Sequence, residues 1–177
     1  MTEAPNYRQR KSLRLKGHDY SQDGAYFITI CTVNKTPLLG TVIDNMMIMN
    51  DHGLIVETEW LKTGSLRANV DLDVFVVMPN HFHGVIGLWK TAGTARRAPT
   101  IEQFGRTLSG SLPSIVRAFK SAVTRRINRI SGTPGRRIWQ RGYYEHIIRN
   151  ENDLTDIRNY IVNNPLKWHL DKYYGGR

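Results

Sequence analysis

The chain has 177 residues, a formal net charge of +10 and a single cysteine, Cys31. This length suffices for one domain with a sizeable core and no disulfide support, and a lone cysteine indicates a reducing, cytoplasmic setting. No stretch approaches the roughly 20 apolar residues that a membrane span needs, and the polar N-terminus lacks the apolar segment of a secretory signal. We therefore expect neither a membrane-spanning protein nor a secreted disulfide scaffold.

The positive charge is concentrated in one third of the chain. Residues 91–149 hold twelve Lys and Arg against two acids, whereas the remaining residues carry thirteen charges of each sign. Such a confined surplus is typical of a surface that binds a polyanion, with nucleic acid as the first candidate and a membrane surface as the second. A further basic cluster near the N-terminus, which includes Arg10 and Arg14, is either a DNA-contacting arm or a solvated one without fixed structure.

The first half of the chain predicts strands and one helix. Residues 1–23 are expected to form the basic arm, and residues 24–177 a single domain that opens with a buried strand at 25–33. Asp44-Asn45 is a two-residue hairpin signal between two short apolar segments. Asn50 and Asp51 are suited to capping a helix, whose apolar positions then recur at helical spacing up to residue 64.

The next elements are two adjacent strands, at residues 70–78 and 81–89, separated only by Pro79-Asn80. So tight a connection requires that the two strands run antiparallel, and places the second strand inside the sheet. Residues 90–112 are rich in Gly, Ala, Thr and Ser and predict a long loop.

The second half predicts two helices around one short strand. A helix starts at Pro113 with one apolar stripe and an opposite basic face. The stripe consists of Ile115, Phe119, Val123, Ile127 and Ile130, and the basic face of Arg117, Arg125 and Arg129. A strand at 143–148 and a last helix at 151–164, stopped by Pro165, complete an α+β fold of ferredoxin-like or RRM-like type, with an antiparallel sheet and helices mainly on one face.

Two histidines stand out in the apolar run of the central strand. Because side chains alternate along a strand, His81 and His83 leave one face and Phe82 leaves the other. Two imidazoles about 7 Å apart on a rigid strand can bind one metal ion, provided that another group completes the coordination sphere. An isolated pair of this kind can also simply line a polar patch on the sheet.

A second candidate pair lies on the last helix, where Tyr160 and Asn164 are one turn apart on the same face. They can be explained as a tyrosine at the edge of the core and an amide that caps the helix. A tyrosine hydroxyl beside a divalent metal on a basic surface is, however, suited to attack a DNA phosphodiester. The phosphotyrosine so formed conserves the energy of the broken bond, so the strand can be rejoined.

These motifs resemble a known family. His81-Phe82-His83 resembles the HUH motif (His, apolar, His), and the segments WQRGYYEHIIRN at 139–150 and YIVNNP at 160–165 resemble the C-terminal half of the REP-associated tyrosine transposases. The resemblance extends from about residue 24 to residue 168. It implies a ferredoxin-like HUH endonuclease domain that nicks and rejoins single-stranded or hairpin DNA through a 5′-phosphotyrosine, with Mg²⁺ or Mn²⁺.

The resemblance also implies roles for individual residues. It makes Tyr160 the nucleophile and His81 and His83 metal ligands, with Asn164 as the polar residue that completes the metal site. By ligand softness alone, two imidazoles favour a zinc-like ion. The assignment of Mg²⁺ or Mn²⁺ therefore depends on the resemblance. A zinc hydrolase is disfavoured because we expect no Glu or Asp near the two histidines to act as a base. Small relatives act as homodimers, whereas the longer REP-associated kind, which this chain resembles more, act as monomers.

Several assignments stay open at this stage. Tyr143 and Tyr144 are rival nucleophiles, and His146 is a hydrogen-bonded structural residue or a third ligand. Trp139 either stacks on an unpaired base or closes the core. The whole protein is either a transposase or a nucleic-acid-binding protein with an idle site. The predicted DNA contacts are Arg10, Arg14, Arg117, Lys120, Arg125, Arg129, Arg136, Arg137, Trp139 and Arg141.

Overall fold

A computed structural model describes residues 18–89 and 108–174 of the chain. Most of the predicted arm and loop lies outside the described residues, and so do the predicted DNA contacts Arg10 and Arg14. The division into one arm and one domain stays a prediction. Within the described ranges the elements are β1 Gly24–Cys31, β2 Gly40–Ile43, β3 Met46–Met49, α1 Asp51–Ser65, β4 Val70–Met78, β5 His81–Leu88, α2 Leu112–Ile130, β6 Tyr144–Ile148 and α3 Glu151–Val162.

The main sheet has the strand order β4-β5-β1-β6, and all neighbouring strands are antiparallel. The tight β4–β5 connection and the interior position of β5 are therefore confirmed. Thr29 of β1 pairs with His83 of β5 on one side and with Tyr144 of β6 on the other. Directly paired residues share a face of the sheet, so these three side chains form a row across it.

The predicted hairpin forms a separate two-stranded sheet from β2 and β3. Asp44 and Asn45 have φ values of 49° and 62°, the left-handed backbone that a type I′ turn requires of both central residues. Asp and Asn tolerate this region better than most residues. The predicted helix cap at Asn50 also forms, because its side chain accepts from the backbone N–H of Gly53. Asn150 caps the last helix in the same way, by accepting from the backbone N–H of Asp153.

The two faces of the sheet carry different helices. On one face α1 and α2 cover β1 and β5, with the Trp60 ring centroid 4.8 Å from that of Phe82. A side chain at Gly84 would collide with both rings, since a Cβ atom there would lie 2.9 Å from each. On the opposite face α3 packs Ile161 against Phe27 and the neighbouring strand residues. Two helices share a face, as predicted, and the third helix covers the face that carries the histidines.

Helix α2 buries the predicted stripe, with one exception. Ile115, Phe119, Val123 and Ile127 are all at most 2% exposed, whereas Ile130 is 55% exposed. Ile130 is the last residue of the helix, and the chain leaves the core at that point. No helix in the described part of the chain is long and apolar enough to cross a membrane.

Trp139 lies in the core, where its ring is not accessible to an unpaired base. This excludes the first of its two interpretations, the stacking residue. Its side chain is 4% exposed and belongs to the core under α2, with its ring centroid 6.3 Å from that of Phe119. Its backbone pairs with Thr32 in an isolated bridge next to β1. The second interpretation, a tryptophan that closes the core, is therefore correct.

The burial of Trp139 leads to a stability prediction. Trp139→Ala should lower the free energy of unfolding by about 3–5 kcal/mol, because truncating a buried Trp leaves a large cavity. Chemical denaturation followed by circular dichroism measures the loss. The control is Trp89→Ala, at a tryptophan that is 50% exposed, which should cost less than about 1 kcal/mol. An unchanged stability together with weakened DNA binding would restore the base-stacking interpretation.

Candidate active site

The two histidines of β5 lie side by side under α3. His81 and His83 are 0% and 1% exposed, and their ring centroids are 4.5 Å apart. That distance is shorter than the about 7 Å repeat of alternate residues along a strand, so the two rings converge. The prediction that both rings share one face of the sheet is confirmed.

A hydrogen-bond chain fixes the orientation of His81. The Asn80 side-chain nitrogen donates to the carbonyl oxygens of Lys35 and Tyr173 at 3.0 and 2.8 Å. These two bonds determine which end of the amide is the nitrogen and which is the oxygen. The His81 Nδ1–H then donates to Asn80 Oδ1 at 2.9 Å, since an amide oxygen can only accept. The other ring nitrogen, Nε2, is therefore an unprotonated acceptor, and it is buried without a hydrogen-bond partner among the described residues.

Burial also determines the charge of the two rings. It lowers the pKa of His81 to about 4 and the pKa of His83 well below its usual value. Both imidazoles are therefore neutral near pH 7, which is the form that binds metal ions. The buried lone pair of His81 Nε2 has no partner among the described residues, which is costly for a protein unless a ligand satisfies it.

The chain after α3 brings two more oxygen donors to the histidines. Asn164 is 3% exposed, and its amide nitrogen donates to Asp171 Oδ2 at 3.0 Å. Its Oδ1 atom is buried with no hydrogen-bond partner in the described residues. Asp171, which follows a short helical turn at Trp168–Leu170, offers a carboxylate oxygen within 4.8 Å of a nitrogen of each histidine.

This donor set fits a divalent metal ion. His81, His83 and Asp171 could hold one, and the Asn164 oxygen is an additional donor beside them. A carboxylate makes the set harder than two imidazoles alone, which suits Mg²⁺ or Mn²⁺ better than the sequence pattern did. Asp171 also corrects the expectation that no acidic residue lies near the histidines.

Tyr160 reaches the same point from α3. Its hydroxyl forms a hydrogen bond with His83 Nε2 at 3.2 Å, and the Thr29 hydroxyl forms one with the other ring nitrogen at 2.8 Å. Its ring stands edge-on to Phe27, with centroids 6.0 Å apart, and the side chain is 41% exposed. Burial raises the pKa of Tyr160 to about 12, so the hydroxyl holds its proton near pH 7.

Comparison with known proteins identifies the family. No protein-family model matches the chain. A Haemophilus influenzae protein of uncharacterised function is 41% identical over 171 residues, which are 93% of each chain. A second H. influenzae protein, assigned as a REP-associated tyrosine transposase, is 34% identical over 151 residues, 84% of this chain and 74% of its own. The chain belongs to the REP-associated tyrosine transposase family.

A solved structure of a family member resembles this chain in its fold. The structure of a REP-associated tyrosine transposase bound to a REP hairpin matches with a TM-score of 0.55 and 22% sequence identity, over 97% of this chain and 77% of that one. This likeness confirms the predicted α+β fold. Family membership supports a transposase-like function that involves DNA.

The two tyrosines that compete with Tyr160 as nucleophile candidates lie on opposite faces of the sheet. Tyr144 lies on the same face as the histidines and is 45% exposed, with its ring centroid 6.2 Å from that of Phe27. Tyr143 points to the other face and packs against the core under α1 and α2. The His146 Nε2 atom lies 2.9 Å from the Asp153 carboxylate, the structural pairing that the sequence offered as one alternative.

The predicted arginines of α2 do not lie on the face of the sheet that carries the histidines. Arg117, Arg125 and Arg129 are exposed on α2, which packs on the sheet face opposite to the histidines. Arg136, Arg137 and Arg141 are exposed in the connection from α2 to β6. The sequence did not indicate that α2 and the two histidines lie on opposite faces of the sheet.

Lys120 differs from the other predicted DNA contacts, because its ammonium group already has partners. Its Nζ donates to the carbonyl oxygens of Gln140, Arg141 and Gly142 at 2.7, 3.2 and 3.0 Å. Partial burial lowers its pKa to about 8. The side chain therefore holds the segment before β6 in place, and the contact of Lys120 with a phosphate stays a prediction.

Two cations that the sequence did not single out lie beside the site. Lys172 Nζ is 5.7 Å from the ring centroid of Tyr144 and 5.0 Å from that of Tyr173. Lys35 Nζ is 5.2 Å from the Tyr173 ring centroid. These rings pack near the histidines, with Tyr173 centred 4.6 Å from His81. Only the folded chain brings these lysines to the site, since neither belongs to a basic cluster.

Proposed function

We propose that this protein is a metal-dependent HUH transposase that nicks and rejoins single-stranded or hairpin DNA through a 5′-phosphotyrosine on Tyr160. The observation that carries the proposal is the position of the Tyr160 hydroxyl, 3.2 Å from His83 Nε2. Two buried acceptors without partners among the described residues, His81 Nε2 and Asn164 Oδ1, belong to the same cluster. A nucleophile next to a set of metal-ligating side chains is what this chemistry requires.

We assign the metal ligands to His81, His83 and Asp171, with the Asn164 oxygen as the fourth candidate. The ion is Mg²⁺ or Mn²⁺. When bound, it supplies positive charge that stabilises a tyrosinate and the charge that develops on the oxygens of the scissile phosphate. The Asn80 side chain keeps His81 in the tautomer that this role needs, through the hydrogen bond to Nδ1–H.

The residues of the chain then perform the transfer. The Tyr160 oxygen attacks phosphorus, so that its bond to phosphorus forms while the bond from phosphorus to the 3′-oxygen breaks. The phenol proton passes to solvent, and the departing 3′-oxygen takes up a proton to become a 3′-hydroxyl. Rejoining is the reverse reaction, in which a 3′-hydroxyl attacks the phosphotyrosine and Tyr160 regains its proton. Lys35 and Lys172 are placed to hold the flanking phosphates.

We propose that a single chain supplies all parts of this site. Tyr160 on α3 reaches His83 of the same chain, and Asp171 follows α3 directly. We therefore expect a monomer to suffice for cleavage, without an exchange of helices between two copies. The arginines on α2 lie on the far side of the sheet, so we assign them to parts of the DNA distant from the cut.

The test uses hairpin oligonucleotides from the DNA that flanks the gene, labelled separately at either end. They are incubated with protein and Mn²⁺ or EDTA and separated on denaturing gels. We expect a covalent band that needs the metal and carries only the 3′ label. Tight binding without an adduct on any substrate would contradict the proposal, and would favour a nucleic-acid-binding protein with an idle site.

The arginines of α2 allow a separate prediction about binding. Replacing Arg125 and Arg129 with Gln should weaken hairpin binding and flatten the plot of log affinity against log salt by about 0.7–0.9 for each phosphate that the protein no longer neutralises. Fluorescence anisotropy over a salt series measures the slope. The adduct formed at saturating DNA should stay unchanged, because both residues are remote from Tyr160. The control is Lys62→Gln on α1; an equal change in slope there would show a general effect of net charge.

A further inference from the structure

A cavity of about 330 Å³ opens beside Tyr160, between α3 and the strands β1 and β6. The rings of Phe27, Tyr144 and Tyr160 form its aromatic side, and His146, Asp153 and Asp156 form its polar side. Its volume lies at the lower end of the range for pockets that hold small organic molecules. Apart from Tyr160, no residue of the proposed metal site or of the phosphotyrosine chemistry lines this cavity.

We propose that the cavity holds one unpaired nucleobase of the strand that Tyr160 cuts, and that it selects guanine. The inference rests on the proposed function, because Tyr160 belongs to both the cavity and the reaction. A base in the cavity would be a close neighbour of the scissile phosphate. The cavity would therefore determine where along the strand the cut is made.

The aromatic side of the cavity offers surfaces for stacking. The Phe27 ring makes interplanar angles of 69° and 89° with the rings of Tyr144 and Tyr160, so the three rings enclose a corner. Tyr144 is 45% exposed and stays accessible to a base. Lys172 Nζ lies 5.7 Å from the Tyr144 ring centroid, where it can hold the phosphate attached to a stacked base.

The polar side of the cavity is acidic, which argues against a phosphate as its occupant. Asp153 is satisfied by His146 and by the backbone N–H of Arg149. Asp156, one turn before Tyr160 on α3, makes no hydrogen bond or ion pair within the described residues. A carboxylate repels phosphate but accepts hydrogen bonds from a base edge. In a chain of net charge +10, an acidic pocket beside the reaction site therefore suits a neutral group rich in donors.

Guanine fits an unpartnered carboxylate best among the four bases. Its N1–H and N2–H₂ groups present two adjacent donors, which match the two oxygens of one carboxylate. Adenine and cytosine offer one amino group, and thymine offers one ring N–H between two carbonyl oxygens. Asp156 would accept the pair of guanine donors while the base stacks on Tyr144.

The experiment measures hairpin binding by fluorescence anisotropy in EDTA, so that cleavage does not contribute. Each unpaired base of the oligonucleotide is replaced in turn by guanine, inosine, adenine, cytosine, thymine or an abasic site. Inosine lacks only the 2-amino group of guanine. At one position we expect inosine to bind about 10- to 150-fold more weakly than guanine, the range for removing one hydrogen bond to a charged group. The abasic site should bind more weakly still.

Asp156→Asn should remove the difference between guanine and inosine at that position, because an amide cannot accept both donors. Tyr144→Ala should weaken the binding of all bases there by about 5- to 150-fold, the range for removing one aromatic ring from a stacked base. The control is Glu151→Gln, an equal change of charge on α3 outside the cavity. A guanine preference that persists in Asp156→Asn, or the absence of any preference, would overturn the inference.

These outcomes separate the cavity from the chemistry. Adduct formation without a base preference would leave the proposed function intact and refute the nucleobase pocket. A guanine preference that depends on Asp156, without any adduct, would support the pocket and refute the nuclease. Thermal melting of each variant excludes a loss of fold as the cause.

Discussion

Tyr160→Phe should abolish the covalent protein–DNA adduct, by at least about 10³-fold, while hairpin affinity changes only a few-fold. Phenylalanine keeps the ring that packs edge-on to Phe27 and against His83, so the cavity and the fold are retained. It removes the only atom that the proposed reaction adds to phosphorus. Denaturing gels with 3′-labelled hairpins measure the adduct, and anisotropy measures the affinity.

Two further tyrosines sharpen this prediction. Tyr144 is the rival nucleophile that shares the face of the histidines, and Tyr144→Phe should leave the adduct in place. Tyr174→Phe, at a residue that is 53% exposed, serves as a control for the surface. An adduct that survives in Tyr160→Phe and disappears in Tyr144→Phe would transfer the role of nucleophile to the strand residue. Peptide mapping of the adduct would identify the modified tyrosine directly.

The parts of the site that follow local periodicity could be predicted from the sequence. Strand alternation placed His81 and His83 on one face, and helical spacing placed Tyr160 on a surface that borders the core. Asn164, predicted on the same helix, lies beyond its end, because α3 stops at Val162. The antiparallel pairing of β4 and β5 followed from the brevity of the turn at Pro79-Asn80. Each of these inferences depends on neighbours within a few residues, where backbone geometry alone decides the outcome.

The remaining parts depend on how distant elements pack, which periodicity does not encode. Asp171 reaches the histidines because the chain turns back after α3, and no pattern in residues 165–174 indicates that return. An amphipathic helix can cover either face of a sheet, so the arginines of α2 could not be placed relative to the site. Burial in turn decided the role of Trp139, whose sequence context fitted a stacking residue and a core residue equally well.

Lys120 shows a similar limit for charged residues. In the sequence it belongs to the basic third of the chain and is indistinguishable from Arg117 and Arg125. In the fold its ammonium group satisfies three backbone carbonyls, so it stabilises the segment that leads into β6. Net charge therefore suggests a class of partner, but it does not show which cations already have partners inside the fold.

The metal site leads to the second large effect. His81→Ala should weaken Mn²⁺ binding to the DNA-free protein by more than about 100-fold, because it removes the buried Nε2 donor. Asn80→Ala should weaken binding by about 10- to 100-fold, the usual cost of losing a partner that orients a ligand. Titration calorimetry and the electron paramagnetic resonance signal of free Mn²⁺ measure both changes without reference to catalysis. His52→Ala, at a histidine that bonds Ser131 on the far side of the fold, should leave Mn²⁺ affinity unchanged.

The same measurement decides between the two oxygen donors. Asp171→Asn should weaken Mn²⁺ binding more than Asn164→Ala, because a carboxylate contributes charge to the site and an amide does not. The reverse order would make Asn164 the ligand, as the family resemblance implies, and Asp171 the residue that orients it through the 3.0 Å hydrogen bond to its amide. Unchanged affinity in His81→Ala, Asp171→Asn and Asn164→Ala would exclude the metal site altogether. The buried acceptors would then need another explanation, and the proposed chemistry would lose its source of positive charge.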